Sequence, residues 1–261
     1  MNILQQIAAD KRREITLKKT CVPEAQLRGS ALFSMPTRSL KASLEARPFG
    51  IIAEHKRRSP SREVINQSVP LPAVVGGYDA AGAGGVSVLT DGTYFGGSLE
   101  DLLLARATTD LPLLRKEFIL DPYQLLEARA YGADAILLIA ALLPAERVTA
   151  LTHEAHELGL EVLLEVHDQE ELDDNLECGA DLFGVNNRNL KTFEVSLKTS
   201  RQLAPHIPEG ALKVSESGLD RPEELRELHA LGYRGFLMGE RFMKHEDPGR
   251  ALELFLQTLT P

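Results

Sequence analysis

Eight short apolar runs, spaced along most of the chain, constrain its fold more than any other feature of the sequence. The runs are rich in Val, Ile and Leu, and nearly all are continuously apolar rather than alternating. This pattern is typical of strands buried on both faces of a parallel sheet. The runs occupy residues 50–53, 86–89, 112–114, 135–139, 162–164, 182–185, 212–214 and 235–238. Amphipathic segments between them, with apolar residues at three- and four-residue spacing, predict helices that include residues 124–131, 145–158, 170–178, 222–231 and 248–259.

The alternation of strands and helices predicts an α/β fold, a closed (β/α)8 barrel of the TIM-barrel type. Such units connect in the right-handed sense and give a parallel sheet, and 261 residues suffice for eight of them. An open doubly wound sheet is the alternative, but it usually carries a glycine-rich phosphate loop where residues 54–61 stand here. We expect one barrel domain over residues 1–261, with residues 1–47 as an N-terminal helical extension covering one barrel end.

Composition and charge exclude several classes of protein. The formal net charge of −9 leaves no dominant basic face for nucleic acid. The cationic residues at 11–13 and 18–19 are expected to form a solvated face of the N-terminal helix. No apolar run approaches the ~20 residues that a membrane span requires, and the first residues lack the pattern of a secretory signal. We therefore expect a cytoplasmic protein that binds neither nucleic acid nor membranes.

The cysteines and histidines match no metal site. Cys21 and Cys178 fit neither a metal-ligand spacing nor a disulfide framework, which favours a reducing compartment. His153 and His156 lie on a predicted helix, away from the strand ends, and are expected to be surface residues. No phosphate-binding loop of the nucleotide-binding type and no dinucleotide fingerprint is present either. The sequence therefore predicts no metal site and no nucleotide cofactor.

Polar and ionisable side chains follow nearly all of the predicted strands. In a barrel of this kind, catalytic residues lie at the face where the carboxyl ends of the strands meet. Buried charges there would be costly without partners or a ligand. The fourth strand ends instead in apolar Ala140 and Ala141, which suit a pocket wall. The other strands supply Glu54 and Lys56, Thr90 and Asp91, and residues 115–118, 165–167, 186–189, 215–218 and 239–241.

Lys116 and Glu165 are the predicted acid and base. They come from different strands, an arrangement in which the environment can separate the pKa values of two groups. Two other interpretations stay open, because Lys116 could simply pair with a neighbouring carboxylate and Glu165 could support Arg188. Glu54 and Lys56, two residues apart, are expected on one side of the first strand.

Several polar residues near these positions are expected to have no catalytic role. His55 should point away from the site, toward the helix layer, because successive strand residues face opposite sides. His167 lies two residues after Glu165, but it stands beside a predicted helix cap and is assigned to the loop turn. Arg57 and Arg58 are expected to lie in a solvated turn.

Glycine-containing steps after the seventh and eighth strands predict a phosphate site. They are Ser217-Gly218 and Gly239-Glu240. Barrels often bind phosphate at these two strands through backbone N–H groups, and glycine lets a ligand approach the backbone closely. We therefore expect a small-molecule phosphorylated substrate.

Six segments at or near the strand ends resemble the indole-3-glycerol phosphate synthase family of tryptophan biosynthesis. They read IAEHKRRSPS at 52–61, SVLTD at 87–91, YFGGS at 94–98, RKEFILDPYQ at 115–124, GVNNRNL at 184–190 and VSESG at 214–218. The resemblance is specific because the segments fall in order and at the expected strand ends. Glu63 departs from the glycine that is usual there, a difference that concerns the loop after the first strand rather than the chemistry.

The resemblance implies ring closure of 1-(2-carboxyphenylamino)-1-deoxyribulose 5-phosphate with loss of CO2 and water. In that family the residue matching Lys116 is the general acid toward the substrate carbonyl, and the residue matching Glu165 is the general base of the dehydration. Lys56, held by Glu54, would be a second cation and could share the acid role. Asn186 would hydrogen-bond the reacting hydroxyl groups. No metal or organic cofactor is implied, because rearomatisation drives the decarboxylation.

The resemblance also implies how the substrate is held. Arg188, with Ser59 near it, would bind the anthranilate carboxylate, and Glu216 would contact the substrate. Apolar walls for the aromatic ring would come from Phe118 and Leu138. The phosphate would be bound by Lys56 and by the backbones of Ser217, Gly218, Gly239 and Glu240.

Three other functions stay open from the sequence. A Schiff-base aldolase on the same barrel would also use a strand-end lysine. A phosphoribosylanthranilate isomerase would share the phosphate site but would use a thiol base and an aspartate acid at strand ends, where neither Cys21 nor Cys178 lies. A phosphate-binding sensor would need no acid–base pair. We expect a monomer that could contact other enzymes of tryptophan biosynthesis.

Overall fold

The strands of the chain form a closed parallel barrel. The structure is a computed structural model that describes residues 3–60, 62–189, 192 and 194–259, so Ser61 and Leu190 of the segments quoted above lie outside the described residues. In sequence order the strands are β1 Gly50–His55, β2 Gly85–Leu89, β3 Leu113–Lys116, β4 Ala135–Ile139, β5 Glu161–Val166, β6 Leu182–Asn186, β7 Leu212–Glu216 and β8 Tyr233–Met238. β1 pairs with both β2 and β8, which closes the ring. The predicted barrel is confirmed, and the open sheet is excluded.

Five of the eight strands extend beyond the carboxyl ends of the predicted apolar runs. β3 ends at Lys116, β6 at Asn186 and β7 at Glu216. Asn186 is paired in register with Glu216, and Ile139 with Glu165. An apolar run alone underestimates such strands, because the backbone ladder continues through polar residues. The sheet therefore holds the backbones of Lys116, Glu165, Asn186 and Glu216 in place at the barrel mouth.

Helices cover the outside of the barrel and precede its first strand. The extension contains α1 Ile3–Cys21, α2 Glu24–Arg28 and α3 Leu40–Glu45. The others are α4 Leu71–Ala81, α5 Gly92–Phe95, α6 Leu99–Thr108, α7 Pro122–Ala130, α8 Ala145–Glu157, α9 Gln169–Asp173, α10 Lys198–Leu203, α11 Pro222–Ala230, α12 Glu240–Met243 and α13 Pro248–Leu259. Within the described ranges, no helix has the length and apolar character needed to cross a membrane.

The helix predicted over residues 170–178 is shorter than expected. It ends at Asp173, and Asp174 and Asn175 follow. Short polar side chains such as these compete with the backbone for hydrogen bonds and so favour helix ends. Asn175 does this here, since its Nδ2 donates to the Glu171 carbonyl at 2.8 Å.

Two apolar layers alternate along the strands, one inside the barrel and one between the sheet and the helices. On β4, Ile136 and Leu138 belong to the outer layer, whereas Leu137 and Ile139 belong to the inner one. The prediction of Leu138 as a wall of the substrate site is therefore wrong by one residue. Successive strand residues point to opposite faces, so Leu137 and Ile139 take the place expected of Leu138.

The N-terminal extension contacts both ends of the barrel, not one end as expected. α3 lies against the amino ends of the strands, where it inserts the fully buried Leu40 and Leu44. A Cβ on Gly85 would lie 2.5 Å from Leu40 Cδ1, and one on Gly50 would lie 2.7 Å from the Arg234 carbonyl oxygen and 2.8 Å from Leu44 Cδ2, so glycine makes room for α3 at the start of both strands. α1 lies over the opposite end, where its first residues line the cavity at the barrel mouth.

The expected solvated basic face of α1 is wrong for Lys11. Its side chain is only 3% exposed, and its Nζ lies 2.7 Å from Glu14, 2.9 Å from Asp91 and 3.1 Å from Glu117. Burial alone would lower the pKa of Lys11, but these carboxylates raise it above its ordinary value. Arg12 is exposed, as expected. The ion pairs attach α1 to the ends of β2 and β3.

Candidate active site

A cavity of about 480 Å³ opens at the carboxyl ends of the strands. Its size and its mixture of apolar walls with a few convergent charges are typical of small-molecule sites. With the exception of Leu138, the residues predicted to bind substrate or to take part in catalysis line this cavity: Glu54, Lys56, Ser59, Lys116, Phe118, Glu165, Asn186, Arg188, Glu216, Ser217, Gly218, Gly239 and Glu240. Ala140 and Ala141, expected to form a pocket wall, do not line it.

Lys116 lies at the centre of the charged side of the cavity. Its Nζ donates to Glu165 Oε2 at 2.8 Å and to Glu216 Oε2 at 2.7 Å. The three residues are largely buried and come from β3, β5 and β7. The pairing of Lys116 with carboxylates, left open by the sequence, is present, but it lies inside the cavity together with the other predicted site residues. Glu165 pairs with Lys116 rather than serving only as a support for Arg188.

The pKa values of the three groups are displaced in different directions. Burial alone would lower the pKa of Lys116, but Glu165 and Glu216 reverse this and raise it above its ordinary value. Burial also favours the neutral form of Glu165, yet Lys116 and a neighbouring histidine hold its pKa well below the usual range. Burial raises the pKa of Glu216 to about 7, with the nearby negative charges of Glu165 and Glu54 acting in the same direction. The site therefore holds a charged lysine between two unequal carboxylates.

Glu54 and Lys56 form a second ion pair at the mouth of β1. Lys56 Nζ lies 2.7 Å from Glu54 Oε1, and both side chains face the cavity. A Cβ on Gly239 would lie 2.8 Å from the same Glu54 oxygen, so glycine at that position makes room for the carboxylate. His55, between the two residues, is buried and does not line the cavity. Its burial lowers its pKa to about 4, so it stays neutral at physiological pH.

Arg57 and Arg58 do not lie in a solvated turn, so that prediction is wrong. Arg57 Nη2 donates to Asp101 Oδ1 at 2.8 Å, and its Nη1 donates to the Gly96 carbonyl at 3.1 Å. Arg58 Nη2 donates to the carbonyl oxygens of Gly92 and Thr93 at 2.8 and 2.9 Å. The sequence could not show these backbone acceptors, because every residue has a carbonyl group and its side chain does not reveal what that group binds. The two arginines fasten the loop after β1 to the loop after β2.

The backbone after β7 is bent in an unusual way. Ser217 has a φ of 66°, the one positive φ at a non-glycine residue in the described part of the chain, and Gly218 follows with a φ of 73°. A Cβ on Gly218 would lie 2.3 Å from Val195 Cγ1, so glycine is required there on two grounds. Backbone strain of this kind concentrates at ligand sites. Gly239 lies on the neighbouring strand end and lines the same part of the cavity.

The apolar wall of the cavity comes from several elements. Phe118 packs against Phe95, with ring centroids 5.9 Å apart. Leu137 and Ile139 of β4 add to this wall, and so do residues 3, 4 and 7 of α1. Phe118 was predicted from the sequence, but Leu137, Ile139 and the three residues of α1 were not. Alternate residues of β4 must face opposite sides, but its continuously apolar run does not show which of them face inward, and no local pattern places α1 over the mouth of the barrel.

His167, assigned to a loop turn by the sequence, lies against Glu165. Its Nε2 is 3.3 Å from Glu165 Oε1, and its Nδ1 is 3.1 Å from Glu171 Oε2. Burial disfavours the charged ring, but these two carboxylates raise the pKa of His167 to about 10. The two-residue spacing from Glu165 was the available signal, because residues at that spacing share a face.

Other candidates from the sequence lie away from the cavity. Arg115 is buried between β3 and α7, where it donates to Gln124 O at 2.6 Å and to Glu127 Oε2 at 3.0 Å. His153 and His156 are exposed on α8, as expected. Within the described residues, no cluster of three or more His, Cys, Asp or Glu side chains could hold a metal ion.

Comparison with known proteins shows the family. Residues 4–255 match the family model described as indole-3-glycerol phosphate synthase. Curated relatives of that name include a protein from Bacteroides thetaiotaomicron, 47% identical with 99% of each chain covered. Another, from Chromobacterium violaceum, is 46% identical with 96% of each chain covered.

A solved structure gives independent support for the fold. Thiamine phosphate pyrophosphorylase from Pyrococcus furiosus resembles this chain with a TM-score of 0.61, covering 85% of this chain and 98% of its own. Its sequence identity of 17% restricts the likeness to the fold. The family assignment depends instead on the family model and on the relatives at 46% and 47% identity. By these matches over almost its entire length, the chain belongs to the indole-3-glycerol phosphate synthase family.

Proposed function

We propose that Lys116 and Glu165 are the acid–base pair with which this member of the indole-3-glycerol phosphate synthase family closes the indole ring. The enzyme is a lyase of tryptophan biosynthesis that converts 1-(2-carboxyphenylamino)-1-deoxyribulose 5-phosphate into indole-3-glycerol phosphate, CO2 and water. The observation that carries the assignment is the position of Lys116 Nζ inside the cavity, 2.8 Å from Glu165 and 2.7 Å from Glu216. A fully charged lysine is a suitable proton donor to a carbonyl oxygen.

In the first step, the aromatic carbon that carries the carboxylate attacks the substrate carbonyl. A carbon–carbon bond forms, and the carbonyl oxygen takes a proton from Lys116 and becomes a hydroxyl group. Loss of CO2 then leaves its bonding electrons to restore the aromatic ring. Substrate entry must draw Lys116 away from its two carboxylates, and their charges keep it protonated until that moment.

In the last step, the new hydroxyl group leaves as water. Glu165 removes a proton from the methylene carbon next to the ring nitrogen, and a lysine protonates the departing oxygen. Lys56 also lines the cavity, with its Nζ 2.7 Å from Glu54 Oε1, and could supply that proton. Asn186, at the end of β6, lines the cavity and is suited to hydrogen-bond the hydroxyl groups.

The walls of the cavity suit the two ends of the substrate. Phe118 and the apolar residues of β4 and α1 would contact the aromatic ring, with Arg188 and Ser59 binding the carboxylate. The bent backbone at Ser217 and Gly218, together with Gly239 and Glu240, would bind the phosphate through N–H groups. Lys56 adds a positive charge.

The charge of Lys116 argues against a Schiff-base aldolase. An amine nucleophile must lose its proton before it attacks a carbonyl, whereas the two carboxylates hold Lys116 in the ammonium form. Borohydride reduction in the presence of substrate should leave the protein mass unchanged. A trapped adduct on Lys116 would favour the aldolase. An isomerase that needs a thiol base is also disfavoured, because neither Cys21 nor Cys178 lines the cavity.

The decisive experiment is to add the protein to 1-(2-carboxyphenylamino)-1-deoxyribulose 5-phosphate and to follow indole fluorescence. Lys116→Ala should reduce kcat by a factor of about 10² to 10⁴, the usual contribution of a general acid, while substrate binding is largely kept. Lys198→Ala, at an exposed position on α10, is the matched control and should behave as the parent. An unchanged kcat in Lys116→Ala would refute the assignment.

We further propose that the enzyme acts as a cytoplasmic monomer. The cavity is completed by α1 of the same chain, so a second copy is not needed to form it. Light scattering on a sizing column should give the mass of one chain, and a stable dimer would contradict the proposal. Contact with other enzymes of tryptophan biosynthesis could be tested by adding them to the same column.

A further inference from the structure

His167 is a largely buried histidine, with its side chain 10% exposed, and its two ring nitrogens both face carboxylates. Nε2 lies 3.3 Å from Glu165 Oε1, and Nδ1 lies 3.1 Å from Glu171 Oε2. An ionised carboxylate only accepts hydrogen bonds, and a neutral imidazole carries a proton on one nitrogen alone. A neutral ring would therefore turn a lone pair toward one of the two carboxylates. The arrangement favours the doubly protonated imidazolium.

The ring is held from the side away from the cavity. Glu171 Oε2 accepts the backbone N–H of His167 at 2.8 Å and also contacts its Nδ1. Glu171 is held in turn by the cap of α9, where Asp168 Oδ1 accepts the Glu171 N–H at 2.9 Å. Glu171 thus fixes both the backbone and the ring of His167. Among the described residues, Nε2 has no hydrogen-bond partner of good geometry. Its interaction with Glu165 is therefore an ion pair.

Glu165 is consequently held by two cations on two different oxygens. Oε2 accepts from Lys116 at 2.8 Å, and Oε1 faces His167. In the mechanism proposed above, Lys116 turns to the substrate and Glu165 loses that partner. His167 does not line the cavity, so a substrate bound there would not need to displace it. It is the cation that stays with Glu165 throughout the reaction.

We infer that His167 is a positioning residue that, as an imidazolium fixed by Glu171, keeps the Glu165 carboxylate oriented and ionised while Lys116 acts on the substrate. This inference rests on the proposed role of Glu165 as general base. It differs from a purely structural role because it connects His167 to the ionisation of Glu165. Carboxylates close to an opposite charge have pKa values about 1–3 units lower than otherwise.

Charged groups from several elements face this pair and must be considered in any pH experiment. Lys116 of β3 and Glu171 of α9 contact it directly. Glu216 of β7 repels the Glu165 carboxylate and pairs with Lys116, and Glu54 of β1 places a further negative charge near Lys116. None of these groups is altered in the variants at position 167, so a shift of the pH profile reports the loss of the imidazolium itself.

The first experiment compares the pH dependence of kcat for the parent, His167→Ala and His167→Asn, with melting temperatures to verify folding. In His167→Ala the acid limb of kcat should move upward by about 1–3 pH units, with KM unchanged. His167→Asn restores an N–H donor without the charge and should move less than His167→Ala. An acid limb that stays in place in a folded His167→Ala enzyme would overturn the inference.

Two variants on α9 separate positioning from general disturbance. Glu171→Gln should reproduce part of the shift, because it weakens the support of the ring. Glu170→Gln, on the exposed neighbouring position of the same helix, should leave the profile unchanged. Equal shifts in both variants would contradict the inference.

A second experiment does not depend on turnover. The protonation of His167 can be followed by long-range proton–nitrogen spectra of the nitrogen-15-labelled protein, with the signal assigned by its loss in His167→Asn. Both ring nitrogens should remain protonated at pH 8, and Glu171→Gln should lower the pH at which the ring titrates. A neutral ring at pH 7 would overturn the inference. Absence of turnover in the parent would instead refute the proposed function.

Discussion

Lys116 of β3 and Glu216 of β7 meet across the mouth of the barrel, with Nζ 2.7 Å from Oε2. The other oxygen of Glu216 fits over Gly184 of β6, where a Cβ would lie only 2.3 Å from it. Glu216 is thus placed by a glycine on the neighbouring strand and by a lysine on the far side of the barrel. The contact explains how the lysine stays charged in a buried site. Burial outweighs the lowering effect of Lys116 and raises the pKa of Glu216 to about 7.

Replacement of Glu216 by Gln should change how stability depends on pH. Burial raises the pKa of Glu216 from its ordinary value of 4.5 to about 7, so the folded state binds the proton more tightly than the unfolded state. The ionised side chain therefore weakens the fold as pH rises from about 4.5 to 7. The free energy of unfolding of Glu216→Gln, relative to the parent, should increase over that range by on the order of 3 kcal/mol.

Urea unfolding at several pH values would measure this difference. Glu246→Gln, at an exposed position, is the control and should give the same difference from the parent at every pH. If the difference in unfolding free energy between Glu216→Gln and the parent does not vary with pH, the pKa of Glu216 is not raised in the folded protein.

Lys11→Met should destabilise the protein strongly, although Lys11 lies outside the barrel strands. The substitution leaves Asp91 and Glu117, both buried, without the ammonium group that neutralises them. Removal of one partner from a buried ion pair typically costs about 3–5 kcal/mol. Arg12→Met, one residue further along α1 and exposed, should change stability by less than about 0.5 kcal/mol. Urea unfolding of both variants checks this, and equal effects would contradict the buried role of Lys11.

Gly218→Ala should weaken substrate binding more than it slows the reaction. The added methyl group would clash with the Val195 side chain, and it sits on a residue with a φ of 73°, where an L side chain is strained, so we expect the backbone after β7 to shift. If this backbone binds the phosphate, which does not react, KM should rise about tenfold or more with kcat little changed. Gly210→Ala is the matched control, because its Cβ would meet no atom within 4 Å. A fall in kcat with KM unchanged would place Gly218 outside the phosphate site.

Much of the fold and most of the site could be predicted because their signals are local. Continuous apolar runs gave the strands, and polar residues directly after them gave Lys116, Glu165 and Glu216. The prediction that Leu138 lines the site was wrong because a continuously apolar run does not show which of its residues face the inside of the barrel. The prediction that Lys11 is solvated was wrong for another reason. A lysine on a largely polar helix is expected to face solvent unless its distant partners in the fold are known. Contacts between residues far apart in the sequence, such as Lys11 with Glu117, leave no pattern in either segment.

The contact between Leu40 and Gly85 provides the last prediction, a double-mutant cycle at the amino end of the barrel. Gly85→Ala should destabilise the parent, because the new Cβ would lie 2.5 Å from Leu40 Cδ1 and 3.2 Å from the Pro112 carbonyl oxygen. Overpacking of this kind typically costs about 1–3 kcal/mol. Leu40→Ala should cost about 2–5 kcal/mol by leaving a cavity. In the double variant, the alanine at position 85 occupies part of that cavity. The double variant should therefore lose less unfolding free energy than the sum of the losses in the two single variants.

Unfolding in urea of the parent, both single variants and the double variant gives the coupling energy directly. We expect it to be at least about 0.5 kcal/mol in favour of the double variant, as for residues in contact. Leu254→Ala, at an exposed position on α13, replaces Leu40→Ala in a control cycle and should show no coupling to Gly85→Ala. Strict additivity in the first cycle would mean that the clash with Pro112, rather than with Leu40, sets the need for glycine at position 85. The N-terminal extension would then rest on β2 without constraining its sequence.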